Sequence, residues 1–233
     1  MDGLLPVIKP KGWTSFDVIR KLQRMTHKEK IGHAGNLDSA ATGLLLIGFG
    51  SATKQLSKWL HSDKEYLFHL QFGVSTETLD TQGLHWVYAG VDPDFVNKDS
   101  LEKLIQQSFT GEILQTPPQY CALKIQGRRY ADLARDQIEA EPPARNVTIF
   151  SLEILSFVWD QMHPSAIMKV HCSHGTYIRA LCRDIAVSLG TIGMAKEICR
   201  NKIGPITLEE AVLLSDLGDS QTIPQHFYRS NQA

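Results

Sequence analysis

Between Glu65 and Val74 the chain alternates: Tyr66, Phe68, Leu70 and Phe72 share one face, and Glu65, His69 and Gln71 occur on the other. A period of two predicts a half-buried strand. The run Leu44-Leu45-Leu46-Ile47 has strand length and no polar interruption, which predicts a buried strand. Further strands are expected within residues 4–13, closed by a Pro/Gly turn, and over 147–155 and 166–172. A helical period appears elsewhere. Thr14 or Ser15 caps a helix over about 16–26, where Phe16, Ile19, Leu22 and Met25 form an apolar stripe with Val18 beside it. A second helix is expected from Ala52 to His61, with Leu56, Trp59 and Leu60 on one side. Asp99-Ser100-Leu101-Glu102 resembles a capping box for a helix over about 100–108, ended by Thr110-Gly111. Ile178, Leu181, Cys182, Ile185, Ala186 and Leu189 mark a helix over about 176–189, with Gly190 as its C′ residue. Thr207-Leu208-Glu209-Glu210 is a capping box that predicts a final helix to about Leu217.

Residues 112–147 break this pattern. Thr116-Pro117-Pro118-Gln119-Tyr120 is extended, Gly127 to Arg135 reads as a turn and short helix, and Pro142-Pro143-Ala144-Arg145 leads back into a strand. Tyr120, Lys124, Arg128, Arg129, Tyr130 and Arg135 interleave aromatic and basic character, as a surface gripping single-stranded RNA does. Asp132, Asp136, Glu139 and Glu141 nearly cancel that charge, so recognition here must rest on geometry rather than field.

Composition adds boundaries. A hydrophobic share of 42% over 233 residues is that of a soluble globular protein. No run approaches the roughly 18 apolar residues of a membrane span, and Met1-Asp2-Gly3-Leu4 does not open a secretory signal. The expected location is the cytoplasm, with no membrane partner. Cys121, Cys172, Cys182 and Cys199 are widely spaced, which predicts reduced thiols. His171-Cys172-Ser173-His174 crowds possible metal ligands, but neighbours on a strand point to opposite faces. The net charge of −1 favours no nucleic acid. Its distribution says more: Lys9, Lys11, Arg20, Lys21, Arg24, Lys28 and Lys30 lie against only Asp17 and Glu29 in that stretch, a basic face of the kind phosphate binding needs, although charge alone fits a solvated helix face better. Arg20, Lys21 and Arg24 fall off the apolar stripe and face solvent or RNA.

The candidate chemistry gathers in one loop, Ile31-Gly32-His33-Ala34-Gly35-Asn36-Leu37-Asp38-Ser39-Ala40-Ala41-Thr42-Gly43. Its glycines permit positive φ and close approach of another molecule, and the strand behind it gives Asp38 a rigid support. Asp38 is either a site carboxylate or the cap of a turn starting at Ser39. Arg179 sits in the first turn of its helix, where the dipole disfavours a cation by a few tenths to ~1 kcal/mol. A buried carboxylate partner would offset that; a surface or phosphate-contacting arginine is the alternative. Gly48-Phe49-Gly50-Ser51-Ala52-Thr53-Lys54 follows a strand and opens a helix, the setting of a phosphate loop, but lacks the third glycine of GxGxxG and does not match GxxxxGK[ST].

The loop resembles the signature of the TruB family of tRNA pseudouridine-55 synthases, matched as Gly32-His33-x-Gly35-x-Leu37-Asp38-x-x-Ala41-x-Gly43-x-Leu45. Lys9 to Ser15, Lys64-Glu65-Tyr66, the Pro117 to Gly127 block and Gly175-Thr176-Tyr177-Ile178-Arg179 match further blocks in the family's order. The resemblance implies an α+β fold: a mixed, mostly antiparallel sheet flanked by helices, with a thumb-like insertion at about 112–147. It implies one catalytic domain over 1–233, with no room for the C-terminal PUA domain of many relatives.

The activity implied is isomerisation of uridine-55 in the tRNA T-loop, through base flipping, with Asp38 as nucleophile and Arg179 as its cationic partner. Tyr66 would be catalytic as well, packing on the flipped base and serving in proton transfer, His33 would fill the place the base leaves, and Tyr177 and Ile198 would line the uracil pocket. Lys64, Lys124, Arg128 and Arg129 would bind substrate. The reaction requires no metal or redox cofactor. The implied partner is the T-stem-loop, bound by a monomer without guide RNA. Asn36, Ser39 and Ala40 stand where the family tends to have Thr, Pro and Leu; Cys121 replaces Ser and Ile198 replaces Leu. The tyrosine at 66 also fits a plain core aromatic, and His33 a turn histidine. Two rival functions are a tRNA-binding or folding module without catalysis and a nucleotide-binding enzyme using Gly48 to Lys54.

Overall fold

The computed structural model describes residues 1–27 and 29–229, so Lys28 of the basic stretch lies outside the described residues. The chain divides into two compact units: Met1–Tyr66 with the chain from Cys199 onward, and Leu67–Ile198. The first contains β1 (Gly3–Lys9), α1 (Ser15–Met25), β2 (Ile31–His33), β3 (Thr42–Phe49), a 3-10 segment (Gly50–Gln55), α2 (Leu56–Leu60) and the start of β4 (Lys64–Phe72). The second continues β4 and adds β5 (Val74–Thr76), β6 (Trp86–Tyr88), α3 (Lys98–Ser108), β7 (Gly111–Gln115), β8 (Lys124–Ile125) and β9 (Arg128–Arg129). After α4 (Tyr130–Arg135), β10 (Arg145–Val158), β11 (Ser165–Cys172) and α5 (Ile178–Ser188), strand β12 (Gly193–Ile203) returns to the first unit, which ends with β13 (Ile206–Thr207) and β14 (Val212–Leu213).

In the first unit β3 is the central strand. It pairs antiparallel with β1 from Gly3↔Phe49 to Lys9↔Gly43. Its other edge is shared, with β2 antiparallel along Ile47 to Phe49 and β12 parallel at Thr42 and Gly43. Leu45, Ile47 and Phe49 pack with Val18, Ile19 and Leu22 of α1, whereas Leu44 and Leu46 pack with Leu56, Trp59 and Ile203. Both faces of β3 are thus covered, which explains the unbroken apolar run. The Asp38 loop is the connection between β2 and this rigid strand.

The second unit orders its strands β12-β4-β11-β10-β7. Strand β10 pairs antiparallel with both β11 and β7. The α+β architecture, with a mostly antiparallel sheet and flanking helices, is the one expected. Between β7 and β10 the 112–147 stretch holds the β8–β9 hairpin and α4. Gln126 and Gly127 both have positive φ, +49° and +85°, as a two-residue type I′ turn requires. That turn carries Lys124, Arg128 and Arg129 on an exposed hairpin.

Several elements differ from expectation. Thr14 is the N-cap of α1, in a full capping box with Asp17, and Phe16 is exposed rather than part of the stripe. The 52–61 helix is a 3-10 segment followed by a short α-helix, with Leu60 exposed. Asn97, not Asp99, caps α3. The Thr207–Glu210 box is formed, but its helix stops after three residues. Val212 and Leu213 pair with Val7 and Ile8 instead, and that edge pairing ends the helix. Among the described residues no helix is long and apolar enough to cross a membrane.

Candidate active site

In the first unit the Asp38 loop is tied down residue by residue. The Ser15 hydroxyl at the start of α1 accepts the Leu37 amide at 2.9 Å and donates to the Leu37 carbonyl at 3.3 Å. The Gly12 amide donates to the Ser39 carbonyl at 2.8 Å, and the Ala41 amide to the Asp38 carbonyl at 3.1 Å, closing a turn over Asp38 to Ala41. Leu37 and Ala40 are buried as pins, while Asp38 between them is half-buried. Asp38 therefore opens a turn rather than a helix.

Arg200 of β12, a residue the sequence reading passed over, holds the same loop. Its Nε donates to the Leu44 carbonyl at 2.8 Å, and its terminal nitrogens to the carbonyls of Asn36 at 3.2 Å and Gly35 at 3.4 Å. The guanidinium is almost wholly enclosed, at 1% exposure. Only a glycine fits at 43: its φ is +109°, and a Cβ there would lie 2.5 Å from the Arg200 backbone.

Lys9 is the second buried cation of this unit, which corrects its place in the exposed basic stretch. Its ammonium donates to the Pro10 carbonyl at 2.9 Å and the Trp13 carbonyl at 2.6 Å. Burial pushes its pKa down to about 8; Asp38 pulls it back up and Arg200 pushes it further down. His33, half-buried at the end of β2, is held below the ordinary histidine range by burial, partly offset by the Gly35 backbone, with Arg200 again lowering it. The loop thus carries a carboxylate with two buried cations and a histidine biased towards neutrality.

In the second unit Arg179 is buried at 3% exposure, two positions into α5. Its Nε lies 3.6 Å from a carboxylate oxygen of Asp80, itself 4% exposed. Its terminal nitrogens donate to the carbonyls of Thr78 at 2.6 Å and Tyr120 at 3.0 Å. Asp80, which sequence reasoning missed, is thus a buried carboxylate partner of Arg179. Its other oxygen accepts the Thr78 hydroxyl at 2.7 Å and the Gln82 amide at 2.9 Å. Leu79, just before it, is held at φ +60°, an unusual conformation for a branched residue. The available signal was the polar alternation Thr76-x-Thr78-x-Asp80 directly after a strand.

Tyr177 caps α5, and the wholly buried Gln115 side chain brackets its peptide, accepting the amide at 2.8 Å and donating to the carbonyl at 3.1 Å. The Arg145 guanidinium lies 4.8 Å from the Tyr177 ring centre. Such backbone anchoring fixes the start of α5, and with it Arg179.

The remaining predicted residues fall into three settings. Tyr66 is half-buried on β4, and so stands apart from the fully enclosed Phe68, Leu70 and Phe72 of its row. Ile198 is buried on β12. Lys64 is buried, and its ammonium donates to the carbonyls of Trp59 at 3.2 Å and Leu60 at 2.6 Å, at the C-terminal end of α2. Lys124, Arg128 and Arg129 are exposed, and Arg128 pairs with Asp136. The phosphate-loop alternative fails on its geometry. The Asp2 carboxylate accepts the Ser51 amide and fills the space beside Gly50, so a protein carboxylate occupies the place an anion would take. Among the described residues no group of His, Cys, Asp and Glu comes together as a metal site.

A mostly antiparallel mixed sheet, flanked by helices and carrying an aspartate in a glycine-rich loop, occurs in many α+β proteins, and comparison with known proteins identifies this one as a pseudouridylate synthase fold. The chain superposes with a TM-score of 0.69 and 25% identity on a chain in the crystal structure of a Cbf5-Nop10-Gar1 complex, over 92% of this chain and 53% of that one. It thus spans about half the length of that solved chain. Residues 23–178 match the TruB family pseudouridylate synthase N-terminal domain. The tRNA pseudouridine synthase B of Clostridium kluyveri is 41% identical over 233 residues, all of this chain and 78% of that protein. That of Endomicrobium trichonymphae is 38% identical over 223 residues, 96% of this chain and 94% of the relative. The chain belongs to the TruB family.

Proposed function

We propose that the protein isomerises uridine-55 in the T-stem-loop of tRNA to pseudouridine, with Asp38 as nucleophile. The supporting observation is the Asp38 loop itself: a carboxylate held in a turn by Ser15, Gly12 and Arg200, within a family of pseudouridylate synthases. The reaction breaks the C1′–N1 bond, turns the base and joins C5 to C1′, releasing the C5 proton. It needs an ionised carboxylate in a site shielded from water, and cations beside a carboxylate favour that form.

In this scheme Arg179 provides positive charge to the reacting centre, and Asp80 holds that side chain in position. Tyr66 stacks on the flipped uracil, which offsets part of the few kcal/mol that flipping costs. Tyr177 and Ile198 line the base pocket, and His33 enters the stack in place of the base. The exposed Lys124, Arg128 and Arg129 contact the T-stem-loop backbone.

The test separates chemistry from binding. Asp38→Asn is expected to abolish turnover while tRNA binding survives, and Tyr66→Ala to lower kcat by several orders of magnitude. Pseudouridine formed by Asp38→Asn at the wild-type rate rules out the nucleophile.

A further inference from the structure

Helix α1 presents a basic and aromatic stripe that the catalytic scheme does not use. Lys11, Arg20 and Arg24 are exposed and Lys21 is partly so. Trp13 and Phe16 are exposed at 36% and 61%. The Arg20 guanidinium lies 5.3 Å from the Phe16 ring centre, and the Lys21 ammonium 5.9 Å from that of Trp13. Nearby acids are already engaged. Asp17 accepts the Thr14 amide at 2.8 Å and pairs with Arg20, and Glu29 holds the N-terminal ammonium at 2.9 Å. Among the described residues no carboxylate lies within ion-pair distance of Lys11, Lys21 or Arg24.

The stripe begins at the Asp38 loop. The turn before α1 is bonded to Ser39 through Gly12, and the first residue of α1 is bonded to Leu37. From there the 11 residues of α1 run about 16 Å. A nucleotide held at Asp38 would therefore have the near end of this helix within reach of its neighbouring phosphates.

We propose that the exposed face of α1 is a phosphate-binding track for the RNA backbone next to the target nucleotide, read by charge and not by sequence. Lys11, Lys21 and Arg24 neutralise phosphates, while Trp13 and Phe16 pack on sugars or unstacked bases. The proposal rests on RNA being the substrate, as argued above. It adds a second, more strongly basic surface to the backbone contacts of Lys124, Arg128 and Arg129, which lie in an insertion whose acids nearly cancel its charge.

The test is the salt dependence of binding to an unmodified tRNA transcript, measured by fluorescence anisotropy across a KCl series. The Lys21→Gln/Arg24→Gln double variant is compared with wild type and with Lys98→Gln/Lys103→Gln, which removes the same charge from exposed positions of α3. Each lost phosphate contact flattens the slope of log K against log salt by roughly 0.7–0.9, so the α1 variant is expected to lose about 1.4–1.8 from its slope and roughly tenfold in affinity. The same factor is expected with an unrelated RNA stem-loop, and Lys21→Glu/Arg24→Glu should move further in the same direction. An unchanged slope, or an equal loss in the α3 variant, overturns the track while tRNA binding stands. Wild-type protein that fails to bind tRNA at all overturns the functional reading, and the track with it.

Discussion

Lys9 and Arg200 are buried cations close to a single half-buried carboxylate, and neither has an exposed end to hydrate. Their amino and guanidino groups are satisfied by main-chain carbonyls of the segments that frame Asp38. This arrangement makes the loop sensitive to charge. Lys9 falls from an ordinary pKa of 10.5 to about 8 in the fold, so between those values the unfolded chain carries the extra proton. Stability supplied by this group therefore rises with pH across that window. Urea denaturation at pH 7.5 and 9.5 is expected to show that rise in wild type and to lose it in Lys9→Met; an identical rise in both contradicts the assignment. Asp80 offers a second test at this scale. Asp80→Asn leaves Arg179 buried beside a neutral partner, and losing one member of a buried ion pair is costly. The expected result is a fall in kcat of at least about tenfold with little change in tRNA affinity; a change in affinity alone contradicts the positioning role. Asp38 and Arg179 were legible because each broke a local rule, one by its glycine surroundings and the other by its place in a helix first turn. Asp80 and Arg200 were not, because the contacts that bring them to the site are distant in sequence: Asp80 meets Arg179, and Arg200 bonds Leu44 across 156 positions.

At the level of elements, the period-two pattern of β4 and the apolar run of β3 predicted real strands, since burial on one or both faces leaves that trace. Capping signals carried less. The Thr207 box marks where a helix starts but not how far it runs, and β14 takes over because β1 offers it a parallel edge. The β8–β9 turn uses Gln126-Gly127, in which the first residue lacks the usual positive-φ preference, so the hairpin was read only as a turn and short helix. The junction of β3 with β12 is the element-level dependency of the site. Gly43→Ala combines a left-handed φ with a collision against the Arg200 backbone, and is expected to cost at least about 2 kcal/mol of stability. A fall in urea midpoint at constant m-value measures it; an unchanged midpoint means that the β3–β12 junction tolerates a side chain.

For the whole molecule, net charge said little: −1 is compatible with almost any function, because acidic positions elsewhere cancel local basic stretches. The ordered series of motifs said most. It pointed to the TruB family before any geometry was known, and alternation and periodicity alone would have stopped at an α+β enzyme with an unusual aspartate. What the chain order could not convey is that residues 1–66 and those from Cys199 onward form one compact unit, linked by Arg200 to the very loop that bears Asp38.

The central claim is that this molecule converts a T-loop uridine of tRNA to pseudouridine. The most direct measurement is tritium release from a tRNA transcript labelled at uridine C5, with wild-type protein and no added cofactor. The account predicts release of one tritium per tRNA, lost when the T-loop uridine is replaced. Tight tRNA binding without tritium release would contradict it and leave an RNA-binding module in place of an enzyme.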